Sequence, residues 1–214
     1  MSEDFGYITF ALAKGRLAEL ALDRLAEIGI EFEDFSKKSR KLLFVNEEKK
    51  IKFFLSKADD VPTYVEYGAA DIGVAGKDTI AEGGKNIYEL AELGFGACRM
   101  VVAGKTDFGY PGAADIRVAT KYPNIARRHF HDVRHQNVEI IKLHGSVELA
   151  PIVGLADVIV DIVETGDTLR ENGLVVLEEI NQVSARLIVN SVSMKLEHAR
   201  ISEIVRLLNE RRTV

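Results

Sequence analysis

Short apolar runs that end in a charged or glycine-containing turn, and then pass directly into segments of helical spacing, recur along this chain. That alternation restricts it to an α/β fold. Ile8 to Ala13 stops at Lys14-Gly15-Arg16, after which Leu17, Leu20, Ala21, Leu25 and Ile28 follow at helical period until Gly29. Leu42 to Val45 and Ile51 to Leu55 read as a hairpin around Asn46-Glu47-Glu48-Lys49-Lys50. Asp59 to Tyr67 forms a helix with Pro62 in its first turn, and Ala70 to Ala75 returns to a buried strand. Ile116 to Thr120, Val138 to Leu143, Asp157 to Val163 and Leu174 to Leu177 are further strands. Helical stretches near Asn124 to Phe130, Ser146 to Val153 and Thr168 to Asn172 separate them, and a last helix runs from about Val192 to Arg211. The pattern predicts a largely parallel sheet covered on both faces.

An internal echo sharpens this expectation. Gly68-Ala69-Ala70-Asp71-Ile72-Gly73-Val74 matches Gly154-Leu155-Ala156-Asp157-Val158-Ile159-Val160, and each copy follows a proline-containing helix. The strand ending Ala13-Lys14 likewise resembles the one ending Thr120-Lys121. Two similar α/β lobes with a cleft between them account for both echoes.

Composition narrows the function classes. A chain of 214 residues, 47% hydrophobic and 29% charged, suits one large domain or two small lobes. The start Met1-Ser2-Glu3-Asp4 is acidic where a secretory signal is basic, and no apolar run approaches the roughly 20 residues of a membrane span, which places the protein in the cytoplasm. Cys98 is the only cysteine, so an intrachain disulfide and a thiolate metal cluster are excluded. A net charge of −5 argues against broad nucleic-acid or membrane-surface binding. An anionic small ligand needs only local cations, and Lys14, Arg16, Arg40, Lys41, Lys77, Arg99 and Lys121 lie near turns or element ends.

The most informative segment is the run Val158 to Leu169. A β-rich strand delivers Asp161 and Glu164 and then a Thr165-Gly166-Asp167-Thr168 turn, which opens into the helical Leu169-Arg170-Glu171-Asn172. Backbone N–H groups at such a turn, two threonine hydroxyls and a glycine that permits close approach can bind a phosphate monoester, while Asp161 and Glu164 can accept hydrogen bonds from ribose hydroxyls. Thr165 or Asp167 equally fits a plain helix cap. The two acids just upstream, at the carboxyl end of a strand, bring the ligand reading level with that alternative.

Lys14-Gly15-Arg16 also sits at a strand end, where two cations can meet a phosphate, and Arg40-Lys41 can supply a second guanidinium fork for a diphosphate. Each of these, taken alone, reads as an ordinary solvated turn. Asp71 to Gly76 ends a buried strand in glycine, leaving room for a flat ring or a sugar, and His144-Gly145-Ser146-Val147-Glu148 repeats the strand-to-helix pattern with Ser146 in capping position. His129, His131 and His135 put at most one pair on a helical face and read as surface residues rather than metal ligands. Cys98 reads as buried packing. No G-x-G-x-x-G follows the first strand, and neither G-x-x-x-x-G-K-[ST] nor G-x-S-x-G occurs.

Taken in order, Ala13-Lys14-Gly15-Arg16, Asp60-Val61-Pro62 with Gly68 through Gly76, Cys98-Arg99, Ala119 through Pro123, Gly145 through Glu148 with Ala150-Pro151, and Gly154 through Leu169 resemble the motifs of the ATP phosphoribosyltransferases. The resemblance spans nearly the whole chain. It implies a fold similar to type II periplasmic binding proteins, two α/β lobes around a cleft. Residues 1–92 with 178–214 would form one lobe, and 93–177 the other. It also implies that adenine N1 of ATP condenses with 5-phosphoribosyl 1-pyrophosphate, releasing pyrophosphate, as the first step of histidine biosynthesis. Asp161, Glu164, Thr165, Gly166, Asp167, Thr168 and Leu169 would hold the ribose and 5-phosphate, and Arg16 and Arg40 the pyrophosphate. Lys14, Asp71, Gly76, Arg99, Thr120 and Tyr122 are weaker ATP contacts. Mg²⁺ would arrive on the substrate, with no dedicated protein site. The chain stops after one C-terminal helix, like short-form members that work in a hetero-oligomer with a regulatory subunit similar to histidyl-tRNA synthetase. The rival from another class is a lobe pair that senses a solute without catalysis, since a fold does not fix a function.

Overall fold

The computed structural model describes residues 6–36, 39–109 and 116–210. The chain forms two compact units, one from the residues up to Gly96 together with those from Ser184 onward, the other from Ala97 to Val183. The boundaries expected at 92/93 and 177/178 move because Leu174–Val183 is one unbroken strand paired along Cys98–Lys105, and a division after Leu177 would cut it.

The first unit is built on β1 (Ile8–Ala13), α1 (Arg16–Ala26), β2 (Leu43–Asn46), β3 (Ile51–Ser56), α2 (Val61–Glu66), β4 (Ile72–Gly76), α3 (Lys77–Gly83) and β5 (Tyr88–Glu92). The second holds β6 (Cys98–Lys105), β7 (Ile116–Thr120), α4 (Pro123–Arg127), a π-turn (Arg128–Val133), β8 (Val138–Lys142), α5 (Leu149–Ile152), β9 (Val158–Val163), α6 (Asp167–Glu171) and β10 (Leu174–Val183). The chain then re-enters the first unit with β11 (Ala185–Val189), α7 (Ser193–Leu196) and α8 (His198–Glu210). The single C-terminal helix expected from about Val192 is thus interrupted at Glu197, and its expected end, Arg211, lies outside the described residues.

Both sheets are mixed rather than largely parallel. In the first, of order β2-β3-β1-β4-β11-β5, only the neighbouring pairs β3–β1 and β1–β4 are parallel. In the second, of order β10-β6-β9-β7-β8, the parallel set is β9, β7 and β8. The antiparallel strands β5, β6 and β11 were the ones that sequence pattern left unassigned.

The cores follow the two-residue alternation of the strands. Ile8, Phe10 and Leu12 of β1 face α1 and α8 with Leu25, Ile201 and Leu208, while Ala11 and Ala13 face α2 with Val61 and Val65. A Cβ on Gly73 of β4 would lie 2.7 Å from Val65, so only glycine lets α2 lie this close to the sheet. In the second unit Ala119, Ile159 and Val163 pack with Val147, Ala150 and Leu169 under α5 and α6. Fully burying side chains of valine to phenylalanine size contributes about 1.5–3 kcal/mol each. Arg200 of α8 ties the helix to the strand starts, donating to the carbonyls of Gly6 at 2.8 Å and Lys50 at 3.1 Å. No helix is long and apolar enough to cross a membrane among the described residues.

Candidate functional site

The candidate residues divide between the two units. In the first, the parallel strands β1, β3 and β4 finish at the same end of the sheet, with Leu12 opposite both Leu55 and Val74. The amide of Lys14 donates to Ser56 at 2.9 Å, and Gly15 turns the chain at φ +99° into α1, whose first residue is Arg16. Because β2 runs antiparallel to β3, and Leu55 donates to the Leu42 carbonyl at 2.9 Å, the segment carrying Arg40 and Lys41 comes to that same end. Lys14, Arg16 and Arg40 are exposed there, and the Arg40 side chain has no hydrogen-bond or ion-pair partner among the described residues.

Of the weaker candidates in this unit, Asp71 has an internal duty, and Gly76 stands close to a neighbouring carboxylate. Asp71 stands at the start of β4, the opposite end from Lys14, where its carboxylate accepts the Thr9 amide at 2.8 Å and the Ser193 hydroxyl at 2.6 Å. Gly76 does stand at the strand end, but the space left by its missing side chain is taken up by Asp78, whose Oδ1 would lie 2.1 Å from a Cβ there. A cavity of about 500 Å³ lined by Glu31, Glu33, Asp34 and Glu47 includes the β2–β3 turn, at the far end from Lys14. Its carboxylates repel phosphates.

In the second unit, β7 and β9 deliver Thr120 and Val163 to one end, and antiparallel β6 brings Arg99 opposite Val163. Beyond Val163 lies an exposed loop. Glu164, Thr165, Asp167 and Thr168 are exposed, Gly166 adopts φ +83°, and Leu169 is buried as the anchor that returns the chain to the core. An L-residue at Gly166 would be strained in this left-handed conformation. The Thr165 hydroxyl donates to Asp167 Oδ2 at 2.7 Å, whereas the Thr168 hydroxyl has no partner among the described residues. Asp161 accepts the Ile162 amide at 2.9 Å just before the loop.

Thr120 and Tyr122 are less available than sequence suggested. The Thr120 hydroxyl is fully buried, donating to the Val160 carbonyl at 2.6 Å and accepting the Tyr122 amide at 2.8 Å. The Tyr122 side chain is buried as well. Both shape the strand end from within. Arg99 is half-exposed and lies 3.3 Å from Glu179 of β10. Cys98 is only partly buried at the start of β6.

Sequence reading missed two features of this unit. Arg170 donates to both Asp167 and the Thr165 carbonyl, and its spacing of three from Asp167 was the available signal. His129, expected at the surface, is buried against β10, with Nε2 3.4 Å from Glu178, which also pairs with Arg134. The π-turn that redirects this segment has no simple sequence signature.

Residues 57–210 match the family model described as HisG, ATP phosphoribosyltransferase. The chain is 62% identical over 208 residues to the ATP phosphoribosyltransferase of Lachnoclostridium phytofermentans, covering 95% of this chain and 96% of that one. It is 60% identical over 208 residues to the enzyme of the same name from Lachnospira eligens, covering 93% and 94%. Among solved structures it is similar to the ATP phosphoribosyl transferase (HisG:HisZ) complex from Thermotoga maritima, with a TM-score of 0.83 and 37% identity over 96% of this chain and 98% of that chain.

Proposed function

The chain belongs to the ATP phosphoribosyltransferase family, the enzymes of the first step of histidine biosynthesis, and on that premise we propose that its Asp161–Leu169 segment holds the ribose 5-phosphate of phosphoribosyl pyrophosphate. The observation that carries this reading is the loop after Val163. It is an exposed turn with a left-handed glycine and a threonine hydroxyl without a partner among the described residues, anchored from below by Leu169. Amides around such a turn and the Thr168 hydroxyl supply donors for a phosphate, and Asp161 and Glu164 stand upstream for ribose hydroxyls.

Adenine N1 attacks C1 of the ribose while the bond to pyrophosphate breaks, through a transition state of oxocarbenium character. A neutral ring nitrogen needs no strong base, so the residues act by alignment and by stabilising the departing diphosphate. Arg16 and Arg40 serve that diphosphate, as guanidinium forks suit it. Lys14, Gly76 and Arg99 are proposed as lesser ATP contacts, and Asp71, Thr120 and Tyr122 as residues that shape the strands.

The family generally uses a divalent metal. No group of three or more His, Cys, Asp or Glu side chains among the described residues is arranged to hold a resident ion. Mg²⁺ is accordingly proposed to enter bound to the diphosphate, as part of the substrate. Both substrates are phosphorylated metabolites, which supports a cytoplasmic reaction. The likeness to a HisG:HisZ complex over nearly the full length of both chains supports a separate regulatory subunit, one similar to histidyl-tRNA synthetase. Incubation with ATP, phosphoribosyl pyrophosphate and Mg²⁺ tests the reading. Pyrophosphate is expected to appear only when both substrates are present, and a sensor without catalysis would release none.

A further inference from the structure

Asp167 poses a physical problem for a phosphate loop. It places a carboxylate within the Thr165–Thr168 turn, and like charges at such short range repel. The structure shows how that charge is disposed of. Oδ1 accepts the Arg170 guanidinium, Oδ2 accepts the Thr165 hydroxyl at 2.7 Å, and the same guanidinium reaches back to the Thr165 carbonyl at 3.4 Å. It also lies over Gly166, 3.8 Å from where a Cβ would stand.

Resting on the phosphate-loop reading above, we propose that Arg170 is a positioning residue for substrate binding. It cancels the charge of Asp167 and braces Thr165 and Gly166, so that the loop can receive a phosphate monoester while Thr168 meets it. Arg170 acts through Asp167 and does not itself touch the phosphate. As an exposed pair three residues apart, with side chains 68% and 59% exposed, the two contribute little to stability, so the effect should be read in substrate affinity.

The test measures melting temperature, kcat and KM for each substrate in Arg170→Ala, Arg170→Lys, Asp167→Asn and the Asp167→Asn/Arg170→Ala double variant, with Thr168→Ala as reference. Arg170→Ala should raise KM for phosphoribosyl pyrophosphate on the order of fivefold, the scale of one lost surface charge contact, with KM for ATP and the melting temperature unchanged. Lysine should recover part of the loss. The double variant should recover most of it, because removing the carboxylate charge removes the need for its partner. A double variant as weak as Arg170→Ala would mean that Arg170 does not act through Asp167, and a joint fall in kcat and melting temperature would mean a merely structural role. Either result overturns the inference. A rise in KM for Thr168→Ala with Arg170→Ala unchanged would sink it while leaving the loop in place. Wild-type KM in every variant would remove the loop from the site and this inference with it.

Discussion

Asp71 accepts the backbone N–H of Thr9 at 2.8 Å, fastening the start of β4 to the start of β1. Asp157 does the same in the second unit, accepting the Arg117 amide at 2.9 Å where β9 meets β7. In both cases the strand returns the bond, with the Asp71 amide donating to Thr9 and the Asp157 amide to Arg117, each at 2.9 Å. Gly68 and Gly154, at φ +70° and +75°, turn the chain into the two strands. The G-x-A-D echo is therefore a fastener of parallel strands. Asp71→Ala should cost about 1–3 kcal/mol of stability, the range for leaving a backbone donor and a hydroxyl without their acceptor. Denaturant unfolding should show that loss while KM for both substrates stays at the wild-type value, and a selective loss of ATP affinity would restore Asp71 to the site.

The Arg117 guanidinium hydrogen-bonded to Asp157 holds its carboxyl below the usual carboxylate range. A carboxyl whose folded pKa is depressed contributes stability that is fully present above its unfolded value and is lost as pH falls through the folded one. The stability gap between wild type and Asp157→Asn should thus be widest near neutrality and shrink below about pH 4. Unfolding at both pH values checks this, and a gap that does not change with pH would show that the pair contributes no titrating stability.

Arg16→Ala and Arg40→Ala should each slow turnover more than they weaken ATP binding, since their proposed partner is the departing diphosphate. Lysine should rescue only in part, because it lacks the two-pronged guanidinium geometry. Steady-state kinetics with direct ATP-binding measurements separate the effects. Wild-type turnover in both alanine variants would place the diphosphate elsewhere.

Histidine added to the chain alone should leave turnover nearly unchanged. Strong inhibition is expected once a subunit similar to histidyl-tRNA synthetase is present, as coupling between distinct sites of about 1–3 kcal/mol. Titrating histidine into both preparations decides the matter, and strong inhibition of the isolated chain would contradict the assignment of regulation to a partner.

How much of this was legible from sequence depended on where each residue's partners lie. The parallel strands β1, β4, β7 and β9 and the loop after Val163 were visible because apolar runs, turn residues and helix starts are local signals. Tyr88–Glu92 and Ala185–Val189 escaped because their pairing depends on each other across a long stretch of chain. The same holds within the site. Thr168 could be picked from its neighbours, whereas the burial of Thr120 follows from its bond to Val160 on another strand. His129 read as exposed because the Glu178 that receives it lies far along the sequence.

The most direct test of the central assignment is calorimetric titration of phosphoribosyl pyrophosphate into wild type, Thr168→Ala and Gly166→Val. Thr168→Ala removes a hydroxyl proposed to donate to the phosphate, a bond to a charged group worth about 1.5–3 kcal/mol, so affinity should fall roughly tenfold or more. Gly166→Val forces a branched residue into φ +83° and should also weaken binding, with ATP affinity and the global fold retained in both. Unchanged phosphoribosyl pyrophosphate affinity in both variants would show that the Thr165–Leu169 loop is not where the 5-phosphate binds.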